Sequence, residues 1–249
     1  MTEALHVNSQ VSVILPIYNE QAGIQKTFDA VLEYSRSHPN YHFIFVDDGS
    51  SDWTKQRLKS KLNATDAKQI QLLSYGFHAG KGYAIKRGVA QANGNYICYL
   101  DGDLAYSLEH LELLVAELQH FDVVIGCRSL ASENVKGSKL SRKIAGKVFN
   151  FLSRKLLSLP YRDMQAGLKG LKRDSAKVLF DKQTMDGFSF DVELIYLAKK
   201  YKYSIQEVPA TVSSEHQQKH SKVNLCSDSL AMLLDLLEIR FNDRKGKYE

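Results

Sequence analysis

One pattern recurs along the first hundred residues: a short apolar run, a turn, then a segment with apolar residues at helical spacing. Val11-Ser12-Val13-Ile14-Leu15, Phe43-Ile44-Phe45-Val46, Ile70 to Ser74 and Tyr96-Ile97-Cys98-Tyr99-Leu100 read as strands. The stretches between them read as helices. The first is capped by Asn19-Glu20 and runs to about Tyr34 with Ile24, Phe28, Val31 and Leu32 on one face; the others span about Asp52 to Asn63 and Gly82 to Asn93. Strands that alternate with helices are joined by crossovers, and crossovers make parallel sheets covered on both faces. The chain is thereby restricted to the α/β class with a mostly parallel central sheet. Pro16, which has no N–H to give, is expected to end the ladder of the first strand.

The alternation continues with a helix from Leu108 to Leu118 and a strand from Asp122 to Gly126. An amphipathic helix follows from Leu140 to Leu159, with Leu140, Ile144, Val148, Phe151, Leu152 and Leu156 in register. A helix from Phe190 to Tyr201, a strand from Tyr203 to Val212, a polar loop from Ser213 to Lys222 and a helix from Leu225 to Phe241 complete the pattern; the loop is the candidate lid. No repeat or low-complexity stretch divides the 249 residues, so residues 1–249 are expected to form a single domain. Three widely spaced cysteines support neither a disulfide framework nor a zinc site; Cys98 and Cys127 read as buried thiols, which fits a reducing compartment. The first ten residues are polar and no apolar stretch approaches the roughly 18 residues of a spanning helix. A cytoplasmic location, peripheral on the cytosolic face of a membrane, is the expectation.

Charge is unevenly placed. Between Asn134 and Pro160 lie Lys136, Lys139, Arg142, Lys143, Lys147, Arg154 and Lys155 with no acid among them. Such a field attracts phosphates, either of a nucleic acid or of a membrane surface. No zinc-finger, homeodomain or RNP pattern accompanies it, so a nucleic-acid partner is not expected, and a membrane surface is.

Two acidic clusters, Asp47-Asp48-Gly49-Ser50 and Asp101-Gly102-Asp103, each follow a strand. Ligands of open α/β sheets bind outside the carboxyl ends of the strands, so both clusters are placed to face one crevice. Mg²⁺ takes one or two protein carboxylates plus substrate phosphates, so Asp101 and Asp103 suffice for Mg²⁺ or Mn²⁺ on a nucleotide diphosphate; the plainer reading is a turn with an Asp cap. Asp48 is either a turn residue or an acceptor for a ribose hydroxyl or base N–H. Gly76-Phe77-His78-Ala79-Gly80-Lys81-Gly82 fails the Walker spacing and reads as a structural turn with Lys81 near the crevice. Arg128 follows a strand and Arg142 starts the basic helix; both carry the fork that clamps phosphate. Asp191 and Glu193 read as helix-dipole partners or, for Asp191, a general base. His216 and His220 read as solvated.

In order and spacing these segments resemble the inverting nucleotide-sugar glycosyltransferases of family 2, which have a GT-A fold, and more narrowly the polyprenyl-phosphate sugar synthases, the dolichol-phosphate mannose and glucose synthase group. The resemblance covers about residues 11–240 and rests on seven segments. They are Ile14-Leu15-Pro16-Ile17-Tyr18-Asn19-Glu20, Val46-Asp47-Asp48-Gly49-Ser50-Ser51-Asp52, Gly80-Lys81-Gly82, Asp101-Gly102-Asp103-Leu104, Gly126-Cys127-Arg128, Asp163-Met164-Gln165-Ala166-Gly167-Leu168-Lys169 and Phe188-Ser189-Phe190-Asp191-Val192-Glu193-Leu194.

The resemblance implies that Pro16, Tyr18, Glu20 and Asp48 line the nucleotide site with Lys81 beside it. It implies that Asp101 and Asp103 hold the metal, that Arg128 and Arg142 receive the acceptor phosphate, and that the helix from Met232 to Phe241, with Arg240, lies near the membrane. A separate membrane subunit is a further implied partner. Three departures stand out. Ala105 replaces a glutamine ligand of many mannose synthases, so the metal relies on fewer protein groups; Gly146 replaces a serine that assists Arg142; and the Ser213–Lys222 loop lacks a tryptophan, although Ser221-Lys222-Val223-Asn224 fits. Gly80-Lys81-Gly82-Tyr83-Ala84 with Asp163-Met164-Gln165 is closer to the glucose synthases, pointing to UDP-glucose, with GDP-mannose the alternative. A phosphate monoester acceptor is already anionic near neutral pH and needs no strong base. A soluble transferase acting on a saccharide hydroxyl would need one, with Asp191 the candidate. A non-catalytic membrane-recruitment module built on the basic helix is the reading from another class.

Overall fold

The computed structural model describes residues 10–131, 140–213 and 227–249, the side chains of 140–148 and 227–232 excepted. All residues of β1 (Val11–Ile17) but Pro16 are buried, because both faces of the strand are covered. Val11, Val13, Leu15 and Ile17 pack on one side and Ile14 on the other, as the two-residue period of a strand requires. β2 (Tyr41–Asp47) and β3 (Ile70–Ser74) continue the sheet on one side of β1, and β4 (Tyr96–Leu100) on the other. β6 (Leu168–Lys172), β5 (Val123–Cys127) and β7 (Ile205–Pro209) follow, giving the order β3-β2-β1-β4-β6-β5-β7. Only β6 runs against the rest. The sheet is the mostly parallel one expected.

Against the face of Val13, Leu15, Phe43 and Phe45 pack α1 (Ile24–Ser37), α2 (Thr54–Asn63) and α4 (His110–Leu118), through Ile24, Phe28, Val31, Leu58, Leu111, Leu114 and Leu118. Against the opposite face, where Ile14, Ile44 and Val46 point, pack α3 (Lys81–Gln91), α5 (Leu140–Leu157), α6 (Arg173–Lys182), α7 (Phe190–Lys200) and α8 (Ser227–Arg244). Each large apolar side chain so buried contributes about 2 kcal/mol. Cys98 and Cys127 are buried free thiols, as read from the sequence.

Three expectations are corrected. Pro16 does not end β1: its carbonyl, and with it the ring nitrogen, faces Gly102 on the β4 side, where pairing has already stopped at Ile14↔Tyr99, while β2 stays paired through Ile17↔Asp47. The first helix begins at Ile24, not at Asn19-Glu20. Asn19 adopts a left-handed conformation (φ 51°) and its side-chain oxygen accepts from the Ser51 N–H at 2.9 Å, so it stitches two loops together and caps no helix. β6 and α6 were not expected at all. Leu-Lys-Gly-Leu-Lys lacks the apolar alternation of a strand, yet Lys169 is 0% exposed, because a buried carboxylate from another element receives its ammonium.

Gly49 sits at φ +68°, and a Cβ there would lie 2.3 Å from the Phe77 carbonyl carbon and oxygen. Gly49→Ala therefore combines a left-handed backbone with a clash against main chain, at a cost of about 3 kcal/mol. The expected result is a lower urea midpoint at unchanged m-value; an unshifted midpoint would show that the Phe77 loop yields freely.

Candidate active site

β1 has β2 on one side and β4 on the other, so the chain order reverses at the β1/β4 boundary, the position where open α/β sheets bind ligands. The segments leaving the carboxyl ends of β1, β2, β4 and β5 meet there around a cleft of about 1740 Å³. Pro16, Tyr18, Glu20, Asp48, Lys81, Asp101, Asp103 and Arg128 all line it. Sequence positions spread over more than a hundred residues thus face one space. Arg142 falls on α5 among residues whose side chains are not described, as do the cations at 143 and 147, and the loop at 214–222 with His216 and His220 lies outside the described residues altogether.

The β1 and β2 turns are tied to each other. The Asn19 N–H donates to Ser50 Oγ at 3.0 Å, the Glu20 N–H to Thr54 Oγ1 at 2.7 Å and the Gln21 N–H to Asp52 Oδ2 at 3.1 Å. Short polar side chains that accept from backbone N–H groups explain why Gly49-Ser50-Ser51-Asp52 reads as a turn. The Asp48 carboxylate, 2% exposed, accepts from the Tyr75 hydroxyl (2.8 Å) and from the N–H groups of Ala79 (2.9 Å) and Gly80 (2.9 Å), and pairs with His78 Nδ1 at 2.8 Å. Burial, then Asp48, raises the Tyr75 phenol above its ordinary range, which keeps it a donor. Asp48 therefore holds the 75–80 loop against the cleft. The His78 ring stacks on Tyr18, with centroids 3.9 Å apart at 18°. His78 is thus a cleft residue that sequence reasoning passed over as part of a glycine turn.

Asp101 and Asp103 stand at the cleft floor on the turn after β4. Gly102 between them permits a close pass, since a Cβ there would lie 2.2 Å from the Pro16 carbonyl oxygen. A Cβ on Gly167 would lie 2.3 to 2.5 Å from the Asp101 carboxylate atoms, so the absence of a side chain at 167 leaves that carboxylate its place. Lys81, the first residue of α3, donates to Asp101 Oδ1 at 2.7 Å. Asp103 Oδ1 accepts from the Ala105 N–H at 3.1 Å. Burial pulls the Lys81 pKa down, but Asp101 and Asp191 outweigh it and leave the ammonium above the ordinary lysine value.

Arg128 faces the cleft with its guanidinium already aligned. Its Nε donates to Asp163 Oδ2 at 2.6 Å and its Nη2 to Asp163 Oδ1 at 2.9 Å, while its backbone N–H donates to Oδ2 at 3.1 Å. A planar fork held on one edge keeps its other N–H groups in a set direction. Burial works against both charges, and the pair overrides it, holding Arg128 above and Asp163 below their usual ranges. The partnership of residues 35 apart had no local sequence signal.

Asp191, the candidate base of the saccharide-hydroxyl reading, is set back from the cleft. Asp191 does not line the cleft: it is 3% exposed, and its Oδ1 accepts from the Tyr99 hydroxyl at 2.7 Å and from Lys169 Nζ at 2.6 Å. Its carboxylate is engaged by a buried ammonium and a phenol, with Lys81 Nζ 3.9 Å from Oδ2 between it and the cleft. Glu193 is likewise structural, accepting from the Thr184 and Met185 N–H groups and from the Tyr248 hydroxyl.

Residues 12–180 match the family model described as glycosyl transferase family 2. The chain belongs to glycosyl transferase family 2. Among curated family relatives it is similar to a dolichyl-phosphate beta-glucosyltransferase of Homo sapiens, 30% identical over 253 residues with 96% of this chain and 77% of the relative covered. The protein of the same description from Dictyostelium discoideum is 29% identical over 247 residues, covering 94% and 75%. Of solved structures, mannosyl-3-phosphoglycerate synthase from Rubrobacter xylanophilus aligns with a TM-score of 0.69 at 17% identity, over 96% of this chain and 75% of that one. Glucosyl-3-phosphoglycerate synthase from Mycobacterium tuberculosis, solved with Mn²⁺, UDP and glucosyl-3-phosphoglycerate, aligns at 0.64 with 18% identity, over 96% and 80%. These glycosyltransferases share the GT-A fold with this family 2 enzyme, and the expectation of that fold is met.

Proposed function

We propose that the enzyme transfers glucose from UDP-glucose to a polyprenyl phosphate of the dolichyl-phosphate type, with inversion, at the cytosolic surface of a membrane. The observation that carries this reading is the meeting of Asp101, Asp103, Lys81 and Arg128 in one cleft, two carboxylates for a cation and two cations for phosphates.

Among the described residues no three His, Cys, Asp or Glu side chains gather into a metal cage, and Asp101 and Asp103 are the carboxylates this reading assigns to the ion. That donor set fits Mg²⁺ or Mn²⁺, which complete their shells with substrate phosphates and water. Two further features support the fit: an ammonium already stands on Asp101, and Gly167 leaves the carboxylate room that a Cβ would fill. Held by Asp101 and Asp103, a divalent ion supplies charge stabilisation to a departing diphosphate. Tyr18, Glu20 and the Asp48-anchored loop form the nucleoside end of the cleft, and Lys81 meets the diphosphate. Arg128 receives the acceptor phosphate, whose oxygen bonds to the anomeric carbon on the face opposite the leaving group. The carbon–oxygen bond to the diphosphate breaks, and its electron pair leaves on UDP. With a second pKa of about 6, the acceptor needs no base, in keeping with the closed-off Asp191.

Membrane contact is supported by the outer surface of α5 and α8. Phe151 on α5 and Leu234, Leu237 and Phe241 along one face of α8 are all more than half exposed, with Lys155 over the Phe151 ring and Lys245 over the Phe241 ring. Apolar side chains rimmed by cations suit an anionic lipid surface. Among the described residues no helix is long and apolar enough to cross a membrane. A separate membrane subunit is a partner this reading allows without requiring.

The test is transfer of labelled sugar from UDP-glucose, UDP-N-acetylglucosamine and GDP-mannose to a short polyprenyl phosphate in detergent, with Mg²⁺ or Mn²⁺. Labelled lipid from UDP-glucose is expected. Product from GDP-mannose instead would make the enzyme a mannosyltransferase, and transfer to a saccharide without lipid would overturn the acceptor. Arg128→Lys keeps the charge but loses the fork; the acceptor KM should rise about tenfold or more while the donor KM holds. An unchanged acceptor KM would remove Arg128 from the acceptor site.

A further inference from the structure

Behind the cleft floor the charges alternate from solvent to core: Asp101, Lys81, Asp191, Lys169. Lys81 Nζ lies 2.7 Å from Asp101 Oδ1 and 3.9 Å from Asp191 Oδ2, and Lys169 Nζ lies 2.6 Å from Asp191 Oδ1. The ammonium of Lys81 thus touches one carboxylate of the pair assigned to the divalent cation and has a second, buried anion within reach on its other side. Its backbone cannot follow. The Gly80 N–H is held by Asp48 Oδ2 at 2.9 Å and the Gly82 N–H by the Asp186 carbonyl at 2.7 Å, so only the flexible side chain moves. The side chain is 15% exposed and lies over the Phe190 ring at 5.8 Å, which confines its swing to the space between the two carboxylates and the cleft.

We propose that Lys81 is a resident cation that competes with the divalent cation for Asp101, and that donor diphosphate relieves the competition by taking Lys81 as its own partner. This rests on the reading of Asp101 and Asp103 as the metal carboxylates. Two cations cannot share Asp101 Oδ1 at contact distance, because like charges a few ångströms apart in a partly closed cleft repel strongly. When Asp101 turns to a divalent ion, Lys81 has two destinations: Asp191, already 3.9 Å away, or a diphosphate in the cleft. The second adds a contact that only a bound diphosphate supplies. Metal and nucleotide therefore bind cooperatively, each favouring the other by one shared coupling free energy. Asp191 is in this account a positioning residue, the buried partner that keeps Lys81 beside the site, and Lys169 Nζ holds Asp191 Oδ1 in place at 2.6 Å. The sequence offers no sign of it, since the four residues span positions 81 to 191.

The test is Mn²⁺ titration followed by electron paramagnetic resonance, with and without UDP, on the full chain. Wild-type enzyme should bind Mn²⁺ weakly alone and far more tightly with UDP. Lys81→Met should lower the Mn²⁺ Kd without nucleotide by about tenfold and raise the UDP Kd at saturating Mn²⁺ by about tenfold, two changes of opposite sign that general loosening of the site cannot produce. Lys81→Gln repeats the measurement with a polar side chain. Lys26→Met, which removes the same charge from another lysine lining the cleft, should leave the Mn²⁺ Kd within about twofold, because screened charge acts weakly at a distance. Unchanged or weaker Mn²⁺ binding by folded Lys81→Met and Lys81→Gln, or equal tightening in Lys26→Met, would overturn the competition. Failure of the underlying reading looks different: wild type that binds no Mn²⁺ even with UDP, or binding that survives Asp103→Asn, would remove the metal site itself and the proposal with it.

Discussion

Asp103→Asn is expected to lower kcat/KM for sugar transfer about a thousandfold, some 4 kcal/mol of transition-state stabilisation, with an unchanged melting temperature. The substitution is nearly isosteric. Asn retains the Oδ1 that accepts from the Ala105 N–H at 3.1 Å, so the turn after β4 stays as it is. What disappears is one of two negative charges that the protein itself contributes. Ala105 offers no donor side chain, and no other carboxylate on that turn compensates. A drop of less than about tenfold would mean that the leaving diphosphate is stabilised by Lys81 and other donors without the strand-end carboxylates.

Lys169→Met is expected to cost about 4 kcal/mol of folding stability and to lower the melting temperature by about 10 °C. Lys169 is wholly buried; its ammonium donates to Asp191 Oδ1 at 2.6 Å and to the Ala166 carbonyl at 2.7 Å and lies over the Tyr99 ring. Removal of the lysine takes from the buried Asp191 its closest cation and leaves it the Tyr99 hydroxyl and Lys81 at 3.9 Å, and breaking a buried pair by removing one partner is far costlier than the pair is stabilising. Substitution of both partners, Lys169→Met with Asp191→Leu, should recover more than half of that loss in urea unfolding, because two charges no longer need desolvation. A small cost for the single variant, or none recovered by the double, would show that water reaches the site.

How much of this was legible beforehand differs by element. β3 was read at its observed bounds, Ile70 to Ser74, because an apolar run between polar turns leaves one register with a buried face. The cleft residues Pro16, Tyr18, Glu20, Lys81, Asp101, Asp103 and Arg128 were also named from the chain alone. Asp101, Asp103 and Arg128 were placed by following strands, Lys81 by its glycine turn, and Pro16, Tyr18 and Glu20 by the family resemblance. β6 escaped because Lys169 breaks an apolar alternation, and its burial depends on a partner 22 residues away. His78 escaped because a histidine in a glycine-rich turn has no periodicity to betray it.

The sequence by itself determined the α/β class, the strand edge that carries the chemistry and the acidic and basic side chains after β2, β4 and β5, since these follow from local periodicity and from residue types at strand ends; Pro16, Tyr18 and Glu20 were legible through the family resemblance. Only the tertiary structure decided which charges neutralise one another. Asp163 aligns Arg128, Asp48 anchors the 75–80 loop, and Asp191 lies sealed behind the cleft between Lys81 and Lys169. The physical reason is range: periodicity is written within a few residues, whereas an ion pair depends on a distance of a few ångströms between groups that only folding brings together.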